Sequence, residues 1–451
     1  MEAEGRRLFG GEKVSVKETD RALTPFGGMV VFLEFLSKIG FVKRVTECMP
    51  VIHRSANSIS PAQTYIAFLI AVTTGARRFA QTSWLRGDKA LHGLLGIARF
   101  PSDDTIRNLF LRFGMKEVQE FFEPMTEWMM ERLAQRAEGY SLDLDSTVFE
   151  RHGQQQEGAR KGYNPRRPGR LSHHPLLAVL AESHFIMHGW LRSGNTGTAR
   201  GVSEFLKEAL ALWGGRARLR VVRADAGFFD QELLEFLEER KLAYIVVARL
   251  TQYVKREVTR ITSWRELDEN YAVGECEVQL LGWKTRRRLV VVRERVREEK
   301  ASVGKKLIDW PAYTFRVFAT SLSLPPEEIW RDYHRRADME NRIAEWKHDL
   351  AADRFCLPDF HATDAVFRSV LLLFHLLSEF RVASGLPQHK EPGTLRSQVF
   401  LCGAELARNG DHTTLLLATA WGGLKQRISL LTSILAWVFP ISPKLDVVLS
   451  P

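Results

Sequence analysis

One stretch of the chain, residues 333–347, carries the residue types that bind a metal ion and a phosphate group together. It reads YHRRADMENRIAEWK. In an α-helix with about 100° of turn per residue, one tyrosine, one arginine, one glutamate and one lysine fall within about 60° of one another. These residues are Tyr333, Arg336, Glu340 and Lys347. Carboxylates bind hard cations, and arginine and lysine bind phosphate oxygens, so this face predicts chemistry on a phosphodiester.

The alternative is a solvated helix face, because mixed charge on a helix is usually exposed. The other acids of the stretch, Asp338 and Glu345, fall about 120–140° from Tyr333 and point elsewhere. This separation favours the functional interpretation if residues 333–347 form one unbroken helix. We therefore expect Glu340 to point inward, and an exposed Glu340 beside a buried Glu345 would contradict its assignment.

Two further acids lie where buried strands are predicted to end. Asp145 ends the run YSLDLD, and Asp225 ends the run RLRVVRAD. Open α/β folds build ligand sites at the carboxyl ends of strands, although an aspartate there also caps the following turn. Asp143 lies two residues before Asp145 and faces the same way in a strand, so it stays an alternative first ligand or a supporting carboxylate.

Asp145, Asp225 and Glu340 together form a candidate two-metal site. Mg²⁺ binds a few carboxylate oxygens and completes its shell with water and substrate phosphate. Two such ions, roughly 3.5–4 Å apart, activate the attacking oxygen and stabilise the leaving one. We expect the three carboxyl groups to converge on such a pair, with Arg336 and Lys347 holding the phosphate backbone beside it.

The spacing Y-x2-R-x3-E-x6-K resembles the signature of bacterial DDE insertion-sequence transposases. The flanking text is similar to the branch of that group numbered thirteen-eighty, in the segments GYSLDLDSTV, LRSGNTGTARG, VVRADAGFF and MENRIAEWKHDLAADRF. The resemblance implies an α/β fold with an RNase H-like mixed-sheet catalytic core. It also implies that Asp145, Asp225 and Glu340 are the catalytic ligands of two Mg²⁺ ions, with Mn²⁺ as the alternative, and that Tyr333 belongs to the DNA-binding residues.

The implied function is a DNA transposase that cuts at the ends of its element and transfers the 3′-hydroxyl into target DNA. Its partners would be the terminal inverted repeats and the target duplex, bound by a homodimer. Two other functions stay open, a stand-alone metal-dependent nuclease and an inactive DNA-binding derivative. The complete Tyr–Arg–Glu–Lys face favours the transposase, and the presence of all three carboxylates disfavours the inactive derivative.

A basic segment follows Asp145. Residues 151–170 read RHGQQQEGARKGYNPRRPGR and show no hydrophobic period, so they form either a disordered surface loop or a loop that grips DNA. The predicted phosphate contacts are Arg160, Lys161, Arg166 and Arg167, a role that needs charge but no sequence reading. Residues 191–201 precede a predicted helix, whose first amides are a candidate anion site.

The remaining patterns of helical and strand-like segments divide the chain into four predicted regions. Residues 1–136 form a predicted helical DNA-binding region, residues 137–250 and 313–365 the mixed-sheet core, and residues 366–451 a helical region. The charged β-rich patch at 251–312 is interpreted as an insertion rather than a continuation of the central sheet.

Two features of these regions have open interpretations. Trp264 and Trp283, in the insertion, are either core aromatics or stack on an unpaired base. A helix that opens at Ser102 and carries Arg107 and Arg112 is either a recognition helix or a packing helix.

The composition of the chain indicates its class of partner and its cellular compartment. The 451 residues carry a formal net charge of +10, which favours an anionic polymer or membrane surface as the partner. The four cysteines are scattered, which disfavours a zinc site or a disulfide framework and favours a reducing cytoplasm, where the nucleoid lies. The longest apolar runs fall short of the roughly 20 residues that span a bilayer, and no secretory signal is evident.

Overall fold

The protein, seen in a computed structural model, is built on a mixed β-sheet with helices packed around it. The structure describes residues 3–7, 13–52, 57–153, 155–295, 313–386, 388–410 and 412–438. The strands are β1 (Ala3–Arg7), β2 (Lys13–Val16), β3 (Leu23–Thr24), β4 (Tyr140–Ser146), β5 (Phe149–Glu150), β6 (Arg160–Lys161), β7 (Leu171–His173), β8 (Leu176–Leu180), β9 (Phe185–Trp190), β10 (Leu219–Ala224), β11 (Tyr244–Val247), β12 (Arg265–Glu266), β13 (Tyr271–Val278), β14 (Arg287–Arg295), β15 (Tyr313–Thr320), β16 (Ala404–Asn409) and β17 (His412–Leu417).

The helices lie before, between and after these strands. They are α1 (Met29–Lys38), α2 (Phe41–Cys48), α3 (Pro61–Thr73), α4 (Phe79–Thr82), α5 (Lys89–Leu94), α6 (Asp103–Phe110), α7 (Met115–Met130), α8 (Val202–Trp213), α9 (Gln231–Glu239), α10 (Gln252–Thr259), α11 (Pro326–His334), α12 (Ala337–Asp349), α13 (Phe360–Ala383), α14 (Pro392–Leu395) and α15 (Lys425–Ala436). No helix among the described residues is long and apolar enough to cross a membrane.

The central sheet has nine strands in the order β12-β13-β14-β15-β11-β10-β4-β8-β9. The middle strands β11, β10 and β4 run parallel, and the strands on both sides of them pair antiparallel. The strand residues 140–144 and 176–180 are buried, which explains their nearly continuous apolar runs. Helices around the sheet bury aromatic rings, such as Trp346 of α12, whose ring lies 5.3 Å from that of Phe149.

The β-rich patch is not separate from the central sheet, so that prediction was wrong. β14 pairs with β15 along its whole length, and β15 also pairs with β11. β15 therefore pairs with β14 of the patch on one side and with β11 of the central sheet on the other. In this way it joins β12–β14 to the edge of the sheet. Charge on alternate residues of these strands suggested an independent unit, but pairing along the backbone does not depend on side-chain charge.

The last region, predicted as mostly helical, also contains two strands. The strands β16 and β17 pair with each other, and β16 pairs with β3 near the start of the chain. The helical parts of the two end regions contact each other as well, because α1 packs on α15 and α7 packs on α13.

The stretch 333–347 contains two helices rather than one. α11 ends at His334 and α12 begins at Ala337. The backbone at Arg335 and Arg336 stays in the right-handed helical region, and the N–H of Arg336 donates to the carbonyl of Tyr333. The break is therefore a local tightening that keeps Tyr333 and Arg336 near the face predicted for them.

Candidate active site

Two parallel neighbouring strands place the two aspartates side by side. In the register of β4 and β10, Arg223 lies opposite Asp143. Asp145 and Asp225 each lie two residues farther along, so both are on the same face at the same end of the sheet. The sequence prediction for the strand ends therefore agrees with the register.

Both aspartates also cap the turn that follows them, and such capping was the alternative to a role as metal ligands. Oδ1 of Asp145 accepts from the Ser146 N–H at 2.8 Å, and Oδ1 of Asp225 accepts from the Gly227 N–H at 2.9 Å. A Cβ on Gly227 would lie 2.9 Å from Thr198 and 3.0 Å from the Asp225 carboxylate. Only glycine fits between these neighbours, so the turn holds one oxygen of Asp225 in place.

The electrostatics of Asp145 indicate an excess of negative charge at this edge. The pKa of its carboxyl is raised to about 6, chiefly by burial, with smaller contributions from the charges of Asp225 and Glu340. Arg336 and the Ser146 N–H act in the opposite direction. A cation bound between carboxylates that raise each other's pKa would favour their ionised forms.

Arg336 is the direct counter-charge of Asp145. Its side chain is 5% exposed, and its Nη2 lies 3.4 Å from Oδ2 of Asp145 and donates to the Leu144 carbonyl at 2.7 Å. A guanidinium buried in this way does not reach a phosphate in solvent, so the structure contradicts the predicted DNA contact for Arg336. Helical angles predicted which side it faces but not how deeply it is buried.

Tyr333 and Lys347 also face the end of β4. Burial raises the pKa of Tyr333, the charge of Arg336 lowers it, and those of Asp225 and Asp145 raise it further, which puts the phenol beside both aspartates. Nζ of Lys347 donates to the Thr147 hydroxyl at 3.2 Å and to the Val148 carbonyl at 3.0 Å. Three of the four residues of the predicted face thus surround the segment that follows Asp145.

The exposure of the two glutamates is the reverse of the prediction. Glu340 is exposed, whereas Glu345 is 6% exposed. The Glu345 carboxylate is held by Arg342 at 2.8 Å and by His389 at 2.9 Å. The expectation that Glu340 points inward was therefore wrong, and by that criterion its assignment is contradicted. The charge of Glu340 nevertheless acts on Asp145, while that of Glu345 is balanced by its own partners.

Asp143 is occupied by a buried ion pair beneath the site. Arg223 binds its two oxygens at 2.6 and 2.9 Å, and both side chains are 1% exposed. Arg223 also reaches Asp332 of α11 at 3.2 Å, and Asp332 in turn receives two bonds from Arg220. The pairing of both Asp143 oxygens with Arg223 favours the supporting role over that of first ligand.

Sequence reasoning missed Arg223 and Asp332. The available signal was an arginine at an inward position of the apolar run RLRVVRAD, two residues before Asp225. Charged residues are rarely buried without a partner.

The described residues do not form a closed metal site. No three histidine, cysteine, aspartate or glutamate side chains among them lie close enough together to hold a metal ion. The donor set still suits a hard cation, because two strand-end carboxylates lie side by side and a third acts on one of them. Movement of the exposed Glu340 side chain would be needed to complete the set.

The basic segment lies on the same side as these residues. Arg160 and Lys161 form β6, which pairs with β7, and both are exposed, as are Arg166 and Arg167. Burial lowers the pKa of Lys347, the Asp353 carboxylate opposes this, and the charge of Arg166 lowers it further. Arg166 is therefore close to Lys347, so the segment is an ordered neighbour of the site.

Three other predicted features have a plainer structural role. Trp283 is 8% exposed and packs on Phe229, and Trp264 is partly buried under Arg293. In α6, Ser102 caps the first turn, but Arg107 is paired with Asp103 and Asp104, which favours the packing interpretation.

The segment 191–201 is folded around a buried arginine. Arg192 donates to the carbonyls of His174, Gly197, Thr198 and Arg200. Glu204 in the first turn of α8 disfavours the predicted anion at that helix end.

A family model shows the class to which the chain belongs. A family model described as "Transposase DDE domain group 1" matches residues 6–436. The cryo-EM structure of a piggyBac transposase synaptic complex with hairpin DNA is similar at 12% identity and a TM-score of 0.43, over 85% of this chain and 82% of that one. No curated protein matches the chain.

Proposed function

The chain belongs to the family of group 1 transposase DDE domains and is a DNA transposase, and on that premise we propose how its residues carry out the reaction. We propose that Asp145, Asp225 and Glu340 are the catalytic carboxylates. The observation that carries this proposal is the register of β4 and β10, which puts Asp145 and Asp225 on one face at one end of the sheet. The charge of Glu340 acts on Asp145 at the same place.

The proposed cofactor is a pair of Mg²⁺ ions, with Mn²⁺ as the alternative. When bound, such a pair lowers the pKa of an attacking water or hydroxyl and neutralises the leaving oxygen. Asp145 and Asp225 supply oxygens that the adjoining turns hold in place. Glu340 supplies the third carboxylate from α12, and its exposed side chain has to turn toward the two aspartates to meet the metal.

Neighbouring residues position this set. Arg336 compensates the charge of Asp145 and ties α12 to the end of β4 through the Leu144 carbonyl. The Asp143–Arg223–Asp332 network joins β4 and β10 to α11. Tyr333, Lys347 and the exposed bases Arg160, Lys161, Arg166 and Arg167 are the proposed contacts to DNA near the metals.

The RNase H-like core, the branch of the family and the homodimer belong to the same proposal. The strand order β9-β8-β4-β10-β11, with its first three strands antiparallel and the last two parallel to β4, supports an RNase H-like core. The Tyr333, Arg336, Glu340 and Lys347 spacing supports the thirteen-eighty branch. We propose that a homodimer brings the two inverted repeats together and joins them to target DNA on the nucleoid.

The experiment is a cleavage and joining assay on a labelled duplex that carries the element's own ends. We expect nicking and joined products with Mg²⁺ or Mn²⁺ and neither product after chelation. Asp145→Asn and Asp225→Asn should bind the duplex but form no product, because an amide is a poor ligand for Mg²⁺. Cleavage without any joined product would instead identify a nuclease and overturn the proposal.

A further inference from the structure

A solvent-exposed basic turn lies outside the catalytic carboxylates. Residues 77–89 read RRFAQTSWLRGDK and comprise α4, a 3₁₀ turn and the start of α5. The segment, which we call the 77–89 turn, exposes four bases: Arg77, Arg78, Arg86 and Lys89. Its one acid, Asp88, is 9% exposed and accepts bonds from the Thr24 hydroxyl and the Leu91 N–H.

Most of the bases in this turn lack a partner. Among the described residues, Arg78, Arg86 and Lys89 make no side-chain hydrogen bond or ion pair, unlike the surface lysines Lys43 and Lys116, which pair with glutamates. Asp103, whose carboxylate accepts from the Ser83 hydroxyl of the turn, and Asp104 share the single cation Arg107. These two acids therefore leave one negative charge beside the four bases of the turn, which keeps an excess of positive charge.

An unpartnered indole lies within the same turn. Trp84 is 52% exposed and makes no aromatic contact within the described part of the chain. An apolar ring of this size that is exposed to water is unfavourable in the free protein, and here it lies in the same segment as the unpaired bases. Nucleic acid accepts both groups, because its phosphates bind the bases and its sugars and base edges bind the ring.

The turn is connected to the active site through α12. Arg77 donates to the carbonyl of His348, the residue after Lys347. Arg396 fixes the same region by donating to the carbonyls of Thr73 at 2.8 Å and Asp349 at 2.9 Å. The 77–89 turn therefore adjoins the C-terminal end of α12, the helix that carries Lys347.

We propose that the 77–89 turn is a second binding site for duplex DNA, which grips the phosphate backbone beside the duplex held at the active site. Arg78, Arg86 and Lys89 contact phosphates, and Trp84 packs on the sugar–base edge. This inference rests on the proposed function. It assigns the DNA contact of the N-terminal region to this turn rather than to α6.

DNA suits the turn better than an acidic protein does, because the turn adjoins the edge where the substrate backbone must lie. Phosphate contacts are independent of sequence, so a random-sequence duplex is an adequate probe. Each phosphate contact adds about 0.9 to the slope of log affinity against log salt.

The test compares two triple variants by salt titration of duplex binding. In Arg78→Ala/Arg86→Ala/Lys89→Ala we expect weaker binding and a slope smaller by about 2–3. The control Lys43→Ala/Lys116→Ala/Lys207→Ala removes the same charge from lysines already paired with glutamates, and its slope should match the wild type. Trp84→Ala should weaken binding without changing the slope, because the ring carries no charge.

Several outcomes would overturn the inference. One is a turn variant that keeps wild-type affinity and slope, and another is a turn variant that differs no more than the control does. Loss of polyglutamate binding with intact DNA binding would assign the turn to an acidic protein. Failure of the wild type to bind DNA would contradict the proposed function instead. Thermal melting of each variant checks its fold.

Discussion

At the scale of single residues, Arg336 changes role between sequence and structure. The spacing of 333–347 indicated a phosphate contact, but its guanidinium is 5% exposed and lies against Asp145. Without the Arg336 guanidinium, the negative charges of Asp145, Asp225 and Glu340 would lose the positive charge that lies against Asp145. Arg336 is therefore a positioning residue for the carboxylates that we propose as catalytic.

Arg336→Ala should destabilise the folded protein. Breaking a buried ion pair leaves an uncompensated charge and costs about 3–5 kcal/mol in the free energy of unfolding. The neighbouring Arg335 is exposed, and Arg335→Ala should cost no more than about 0.5 kcal/mol. Urea denaturation of both variants measures the difference, and equal midpoints and slopes for the two would contradict the role given to Arg336.

At the scale of elements, the strands were predictable and the contacts between them were less so. The apolar runs that became β4, β8, β9, β10 and β11 are recognisable because both of their faces are buried. Asp145 and Asp225 follow from the same runs, since a strand end needs only local sequence.

Long-range pairing was not predictable. The union of β14, β15 and β11 depends on residues far apart in sequence, and no local pattern encodes it. The break between α11 and α12 and the burial of Glu345 depend on partners such as His389, 44 residues away. Helical periodicity predicts direction around an axis, whereas burial depends on what packs there.

The buried Asp143–Arg223–Asp332 network explains why α11 and the sheet act as one support. Arg223 spans from β4 to α11 with bonds of 2.6 Å to Asp143 and 2.6 Å to the Asp332 carbonyl. Charged groups removed from water need such complete pairing. The element that leads into α12 is thereby held at a defined place relative to both strand-end aspartates.

At the scale of the whole molecule, two buried histidines link stability to pH. Burial lowers the pKa of His173 to about 4, with the charge of Arg151 adding to this and the bond to the Glu157 carbonyl opposing it. Burial also lowers the pKa of His375 to about 3. Both are neutral in the fold: Nδ1 of His173 accepts from Arg151 at 2.9 Å, and His375 stacks on Phe185.

Stability should therefore fall in acid. An unfolded histidine binds its proton near pH 6.5, whereas the folded side chains do so only near 4 and 3. Their contribution is complete above about pH 6.5 and is lost as the pH falls toward 4, at up to about 1.4 kcal/mol per pH unit for each histidine. Urea titrations between these pH values measure the slope. His375→Phe should reduce it, and an unchanged slope would contradict the neutral buried state.

The central claim is that Glu340 completes a metal-dependent centre with Asp145 and Asp225. The most direct measurement is the single-turnover rate of DNA joining by Glu340→Gln, beside the matched control Glu328→Gln on the exposed face of α11. We expect Glu340→Gln to bind DNA as the wild type does and to join it at least about a thousandfold more slowly, because metal stabilisation contributes several kcal/mol to the transition state. Glu328→Gln should react normally. Joining by Glu340→Gln at the wild-type rate would show that Glu340 is not a ligand and would contradict the account.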